Sequence, residues 1–241
     1  MKFALVTGGT KGIGKAYVIR LLKENFSVII NYYQDEMAAN LLDLELKPNY
    51  GGKYFLVKHD LSRFEGVDTF CTKIKDITPV LDLLVLNVGY TDRTSFPGIK
   101  PESWQKALDT NLSVPFFIVQ NLIDLVPPKG NILFTGSLMG ILPHSMSLLY
   151  GVTKAAVKAL VENLVKFLAE KQIRVNYIAP GFIETEWQKE KPKEIRQNIE
   201  NKIALKHFGS PEQVADAMMF IVNNEYMNGH SLVIDGGYNY K

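Results

Sequence analysis

At 241 residues, with 27 basic and 25 acidic side chains, the chain carries a formal net charge of +2. That balance argues against a nucleic-acid or membrane surface as partner, and an apolar content of 46% supplies a sizeable core. The single cysteine, Cys71, precludes an internal disulfide and fits a reducing compartment; with Phe64, Val67, Phe70 and Ile74 it sits at helical spacing and reads as a core residue.

The run Phe3-Ala4-Leu5-Val6-Thr7 stops at a glycine and reads as a first strand, not as a signal peptide. No segment approaches the roughly 20 apolar residues of a membrane span, so a cytoplasmic protein is expected. A helix is predicted over 12–24, a strand over 27–30 and a helix over 35–46. Then come a strand over 54–57, a helix over 63–77 and a strand over 81–86. One long helix is predicted from 101 to 125, a strand over 131–135, a second long helix over 148–170 and a strand over 174–178. The charged stretch 184–206 reads as helical, and its place after a strand's carboxyl end suits a substrate lid. A helix over 211–222 and a strand over 232–234 complete the pattern. Most of these strands lack apolar–polar alternation and are therefore buried on both faces. Strand–helix alternation implies right-handed crossovers. The expected architecture is a single α/β domain over 1–241: a doubly wound, seven-stranded parallel sheet of Rossmann type with helices on both faces.

Directly after the first strand stands Thr7-Gly8-Gly9-Thr10-Lys11-Gly12-Ile13-Gly14. Glycines let the backbone turn sharply and approach a pyrophosphate, and the helix that follows aims free N–H groups at it. Gly8, Thr10, Lys11, Gly12, Ile13 and Gly14 are accordingly candidate cofactor contacts. An NAD enzyme places an acid at the end of the second strand for the ribose 2′-hydroxyl. This chain has Asn31 and Tyr32 there, its first acid, Asp35, comes too late, and Lys11 can face a 2′-phosphate. NADP(H) is favoured over NAD(H). Asp60 and Leu61 after the third strand resemble the Asp–hydrophobic pair of the short-chain dehydrogenase/reductase family, which implies that they meet the adenine, although Asp60 also fits a helix N-cap.

Ser137 follows the fifth strand, and Tyr150 and Lys154, four apart, share one face of a helix. A phenol with a pKa of about 10 is a poor proton shuttle at neutral pH. Lowering it by about three units takes roughly 4 kcal/mol, which a nearby ammonium can supply. Ser137 can hold a substrate oxygen against Tyr150.

These features together resemble the short-chain dehydrogenase/reductase family. The glycine turn has that family's Gly-x-x-x-Gly-x-Gly spacing, and Leu86-Asn87-Val88-Gly89 resembles its Asn-Asn-Ala-Gly motif, which makes Asn87 and Gly89 cofactor-bordering candidates. The resemblance implies that Asn111 holds a water joining Lys154 to solvent, and that Lys154 also binds the nicotinamide ribose beside Tyr150. It also implies that Pro180, Gly181, Ile183 and Thr185 border the nicotinamide. The expected reaction is hydride transfer between NADP(H) and a carbonyl or secondary alcohol, with Asn111, Ser137, Tyr150 and Lys154 as the catalytic set. No metal is expected; His59, His144, His207 and His230 show no ligand spacing.

Within the family the chain looks most like 3-oxoacyl-[acyl-carrier-protein] reductases, which makes a 3-oxoacyl thioester the expected substrate. An acyl carrier protein is a possible partner, with Lys129 and Lys171 either docking it on the rim or standing as ordinary solvated lysines. Leu138, Met139, Leu148, Leu149, Phe182 and Trp187 could line an apolar pocket or belong to the core. A homotetramer or homodimer is the family habit. The alternatives are a reductase for another ketone (sugar, polyol, steroid or quinone-like) and a non-catalytic nucleotide-binding regulator.

Overall fold

The structure, a computed structural model, describes residues 2–189 and 191–240. Its strands are β1 (Lys2–Val6), β2 (Phe26–Tyr32), β3 (Tyr54–Lys58), β4 (Leu83–Leu86), β5 (Asn131–Thr135), β6 (Arg174–Pro180) and β7 (Ser231–Ile234). The helices are α1 (Gly12–Lys23), α2 (Glu36–Tyr50), α3 (Val67–Ile77), α4 (Pro101–Leu108), α5 (Val114–Leu122), α6 (Leu148–Leu168), α7 (Glu186–Lys189), α8 (Lys193–Lys202) and α9 (Pro211–Asn223). All seven strands pair in parallel in the order β3-β2-β1-β4-β5-β6-β7.

The pleat sends alternate side chains to opposite faces, and both faces are covered. Ala4, Val6, Leu83 and Val85 pack with α1, α2 and α9, whereas Leu5, Leu84, Leu86 and Phe134 pack with α3, α5 and α6. This is the doubly wound, seven-stranded sheet expected from the sequence. A third, small cluster (Phe182, Ile199, Ile203 and Phe208) gives the 182–208 segment its own core. There the expected helix over 184–206 is two helices, α7 and α8, and Glu190 between them lies outside the described residues. Among the described residues no helix is long and apolar enough to cross a membrane.

The expected continuous helix over 101–125 is a correction. The chain forms α4, a π-turn over Asp109–Ser113, and then α5. Pro115 is the physical reason: it has no N–H to give the Asn111 carbonyl, so the regular ladder cannot run through.

Tyr177, in the middle of β6 and fully buried, ties the carboxyl end of β5 to α6. Its hydroxyl accepts from the Ser137 N–H at 2.9 Å and lies 3.1 Å from both the Ser137 and Lys154 carbonyl oxygens. Gly136 makes room for it, since a Cβ there would stand 1.8 Å from the Tyr177 ring. Tyr177→Phe therefore strands a buried N–H and should cost about 1–3 kcal/mol. Denaturant unfolding checks the loss, and an unchanged midpoint would show that the hydroxyl bridges nothing of consequence.

Candidate active site

At the carboxyl ends of β1 and β4 the connections leave for opposite faces of the sheet, and a cleft opens between them. It consists of adjoining cavities of about 400 and 990 Å³ that share Gly8, Val88 and Gly89, volumes in the range of cofactor sites.

The glycine loop forms the floor of the smaller cavity. Gly8 and Gly12 have φ of +62° and +50°, where a side chain is strained. Gly14 serves closure of the loop: a Cβ there would stand 2.1 Å from the Gly8 carbonyl oxygen. A Cβ on Gly12 would reach within 3.2 Å of Thr185 Cγ2, filling the gap between loop and the segment opposite. The loop is braced from both sides. The Gly8 N–H donates to Asn31 Oδ1 at 3.2 Å, and Asn87 Nδ2 donates to the Thr7 and Gly8 carbonyls at 3.1 and 3.2 Å. The first turn of α1 contains no acid, so nothing in that turn offsets the positive end of its dipole. Bare backbone, open space and a helix amino terminus fit the pyrophosphate of a dinucleotide.

Tyr32, Asp60 and Leu61 line the larger cavity together with Asn31. Asn31 is nevertheless a brace first: it is buried, and its amide also donates to the His59 carbonyl at 3.0 Å. Asp60 accepts from the Ser62 N–H at 2.8 Å, a local turn, and the next α-helix starts only at Val67. Thr10 is buried and lines neither cavity. Lys11 does line the cleft, but its ammonium is 2.6 Å from the Asp35 carboxylate. That hydrogen bond holds the Asp35 carboxyl below the usual range.

Ser137, Tyr150 and Lys154 meet in the smaller cavity beside Gly89, Pro180, Gly181, Ile183 and Thr185. Ser147 caps α6, its hydroxyl accepting from the Tyr150 N–H at 3.4 Å and donating to the Asp92 carbonyl at 2.5 Å. The cap fixes Tyr150 in the first turn and puts Lys154 one turn below it. Lys154 is buried, donates to the Thr135 carbonyl at 2.7 Å and stands 5.5 Å from the Tyr150 ring centroid. The expectation that Lys154 lowers the phenol is not met by the protein's own groups alone. Burial pushes Tyr150 up to about 12, a hydrogen bond with Ser137 opposing it, and burial pushes Lys154 down to about 8.

Asn111 does not line the cleft; its side chain clamps the Tyr90 backbone at 2.7 and 2.9 Å and donates to Thr153 Oγ1 at 2.9 Å.

Of the expected apolar lining, Met139, Phe182 and Trp187 face the cavity, and Trp187 stands edge-on to Tyr150 at 6.2 Å. Leu138 lines a neighbouring pocket of about 300 Å³ instead, Leu148 is exposed and Leu149 is in the core. Met146, Arg93 and Lys191 also line the cavity and were not singled out from sequence; Met146 and Arg93 come from connections without a periodic pattern, and Lys191 from between the two helices into which the 184–206 stretch divides. Lys129 and Lys171 precede β5 and β6 and so lie at the amino end of the sheet, away from this chain's own cleft, with Lys171 paired to Asp124 at 2.7 Å. That placement corrects their expected position on the rim.

Comparison with known proteins agrees with this geometry. Residues 8–239 match the family described as enoyl-(acyl carrier protein) reductase. Glucose 1-dehydrogenase 2 of Bacillus subtilis (strain 168) is 36% identical, the match covering 98% of this chain and 94% of that protein. The 3-oxoacyl-[acyl-carrier-protein] reductase FabG of Aquifex aeolicus (strain VF5) is 32% identical, covering 98% and 96%. Among solved structures, angucycline C-6 ketoreductase LanV with bound NADP superposes with a TM-score of 0.92 at 26% identity, over 100% of this chain and 96% of that one. Glycine loop, parallel sheet and the Ser137, Tyr150 and Lys154 cluster thus stand in a chain that belongs to the short-chain dehydrogenase/reductase family.

Proposed function

We propose that the chain is an NADP(H)-dependent carbonyl reductase whose substrate is a 3-oxoacyl thioester. The convergence of Ser137, Tyr150 and Lys154 on one cavity beside the glycine loop carries this reading. When bound, the dihydronicotinamide supplies hydride to the carbonyl carbon. Ser137 hydrogen-bonds the carbonyl oxygen and holds it against Tyr150, which gives that oxygen its proton. Lys154 holds positive charge near the phenolate as it forms and binds the nicotinamide ribose, and the Asn111 carbonyl holds a water through which the proton is resupplied. Pro180, Gly181 and Ile183 border the nicotinamide, and Thr185 receives its carboxamide. Orientation and matched acidity account for the rate, with no covalent intermediate. The 184–206 segment acts as the lid of a single catalytic domain. Exposed Trp104 on α4 and Leu148 and Val152 on α6 suit a helical interface between copies in a cytoplasmic homo-oligomer.

A second reading, oxidation of a sugar or other polyol, is favoured by the 36% identity to a glucose dehydrogenase. Steady-state assay of acetoacetyl thioester, glucose and a ketone panel with NADPH or NADP⁺ separates the two. Turnover of the thioester that Tyr150→Phe lowers by about 10²–10⁴-fold, with NADPH binding kept, is the expected result. Turnover of glucose alone would replace the first reading by the second, and an active Tyr150→Phe variant would remove the phenol from its role.

Choice of cofactor turns on Lys11, which must leave Asp35 to meet a 2′-phosphate. Asp35→Asn keeps the cap on the Ala38 N–H and frees the lysine. The ratio of kcat/KM for NADPH to that for NADH should rise about threefold; a falling ratio would place the 2′-phosphate elsewhere.

Acid–base behaviour follows from the two shifts. Lys154, depressed to about 8, is an ammonium below that pH and loses its proton as pH rises through it, while Tyr150, raised to about 12, stays protonated. For carbonyl reduction kcat/KM should be level in acid and fall as pH passes about 8, a limb that Lys191→Gln leaves in place. A rate still climbing beyond it would assign the limb to another group.

A further inference from the structure

Two cations outside the glycine loop and the catalytic cluster face the cleft. Arg93, in the connection after β4, and Lys191, between α7 and α8, line the same cavity of about 400 Å³ as Ser137 and Tyr150. Lys191 is half-buried; its ammonium is hydrogen-bonded to Gln188 Oε1 and lies 5.8 Å from the Phe182 ring centroid. Among the described residues nearby, Glu184 is taken by Arg196 at 2.5 and 3.1 Å, and Asp92 accepts from the Thr94 N–H at 2.7 Å. Glu186 Oε2 stands by the glycine loop, 3.5 Å from where a Gly12 Cβ would be. Among the described residues neither Arg93 nor Lys191 has a carboxylate partner within ion-pair distance.

The same cavity has an apolar wall built from Met139, Met146, Phe182 and Trp187. The cleft thus combines the Ser137 and Tyr150 hydroxyls, an apolar wall and two cations. Burial first, and then the charges of Arg93 and Arg196, push Lys191 down to about 8, so the cations work against one another until an anion joins them.

We propose that Arg93 and Lys191 form a recognition site for an anionic group of the substrate, a carboxylate or a phosphate. The word substrate rests on the reductase reading above; the anion site itself does not. It separates the anionic oxo acids and phosphopantetheine-type thioesters from neutral ketones and sugars, which give the two cations nothing to hold.

The test compares wild type with Arg93→Gln, Lys191→Gln and the double variant on two matched pairs. Acetoacetyl-coenzyme A against acetoacetyl-N-acetylcysteamine probes the phosphate, and acetoacetate against its ethyl ester probes the carboxylate. Exposed charge pairs are individually weak, so two together should favour the anionic member by about tenfold in kcat/KM. The double variant should abolish that preference through KM, with kcat and the KM for NADPH unchanged. The pair that responds identifies the anion. Calorimetry on the NADPH complex with 4′-phosphopantetheine and with succinate gives a readout free of turnover, and at least one should bind about tenfold more weakly to the double variant. If no carbonyl is turned over, the reductase reading fails while calorimetry still decides the anion site. Equal use of charged and neutral partners, a loss that follows the KM for NADPH, or no binding of either probe would each overturn the proposal.

Discussion

A buried ammonium without a buried carboxylate beside it is the constraint from which the site follows. Lys154 is 3% exposed, and its Nζ is anchored on the Thr135 carbonyl, a neutral acceptor. Desolvation therefore acts on it nearly unopposed, which is why its pKa falls. The surroundings give it room on every side. A Cβ at Gly140 would stand 2.6 Å from the Lys154 backbone, and one at Gly89 would come within 3.6 Å of the ammonium. A cation kept at such cost in a cleft marks a functional position more than a structural one, because an apolar residue of similar length would pack there without the penalty.

Precision at the cleft comes largely from polar groups that need not touch a ligand. Asn31 and Asn87 brace the glycine loop, Ser147 sets the start of α6, and Tyr177 joins the backbones of Ser137 and Lys154. Each is rigid because its partners are backbone groups of strands or helix ends, which cannot rotate away as side chains do. Groups that react are thus held by groups that do not, and the reacting ones keep little freedom to lose on binding.

Much of this was legible in the sequence, and the reasons differ from element to element. Continuous apolar runs such as Leu83–Leu86 announce strands buried on both faces, and seven of them alternating with helices leave few topologies. Ser137, Tyr150 and Lys154 stand out because one helical turn and one post-strand position fix their spacing. The break after α4 was missed since apolar periodicity runs on through Pro115, and periodicity does not register one absent donor. Tyr177 was hidden for another reason: it reads as one more apolar residue of a strand, and only Gly136 across from it, 41 positions earlier, explains its hydroxyl. Arg93 lies in an irregular connection, whose path no local pattern dictates, and Lys191 falls between the two helices of a stretch that reads as one.

The same division explains why family membership says more about chemistry than about substrate. Ser137, Tyr150 and Lys154 hang from β5 and α6, tied into the main core by Tyr177 and Thr135. The mouth is made by the 91–95 connection, the turn before α6, and the 182–208 segment, which folds around its own small cluster of Phe182, Ile199, Ile203 and Phe208. Because that cluster is separate from the two beneath the sheet, the mouth can change its charge and walls without moving the acid–base groups. A glucose dehydrogenase and an oxoacyl reductase can therefore both be relatives of this chain. What bears on the choice is local: two cations with no carboxylate partner among the described residues, lining a cavity with an apolar wall, a surface that suits a charged thioester or oxo acid better than a neutral sugar.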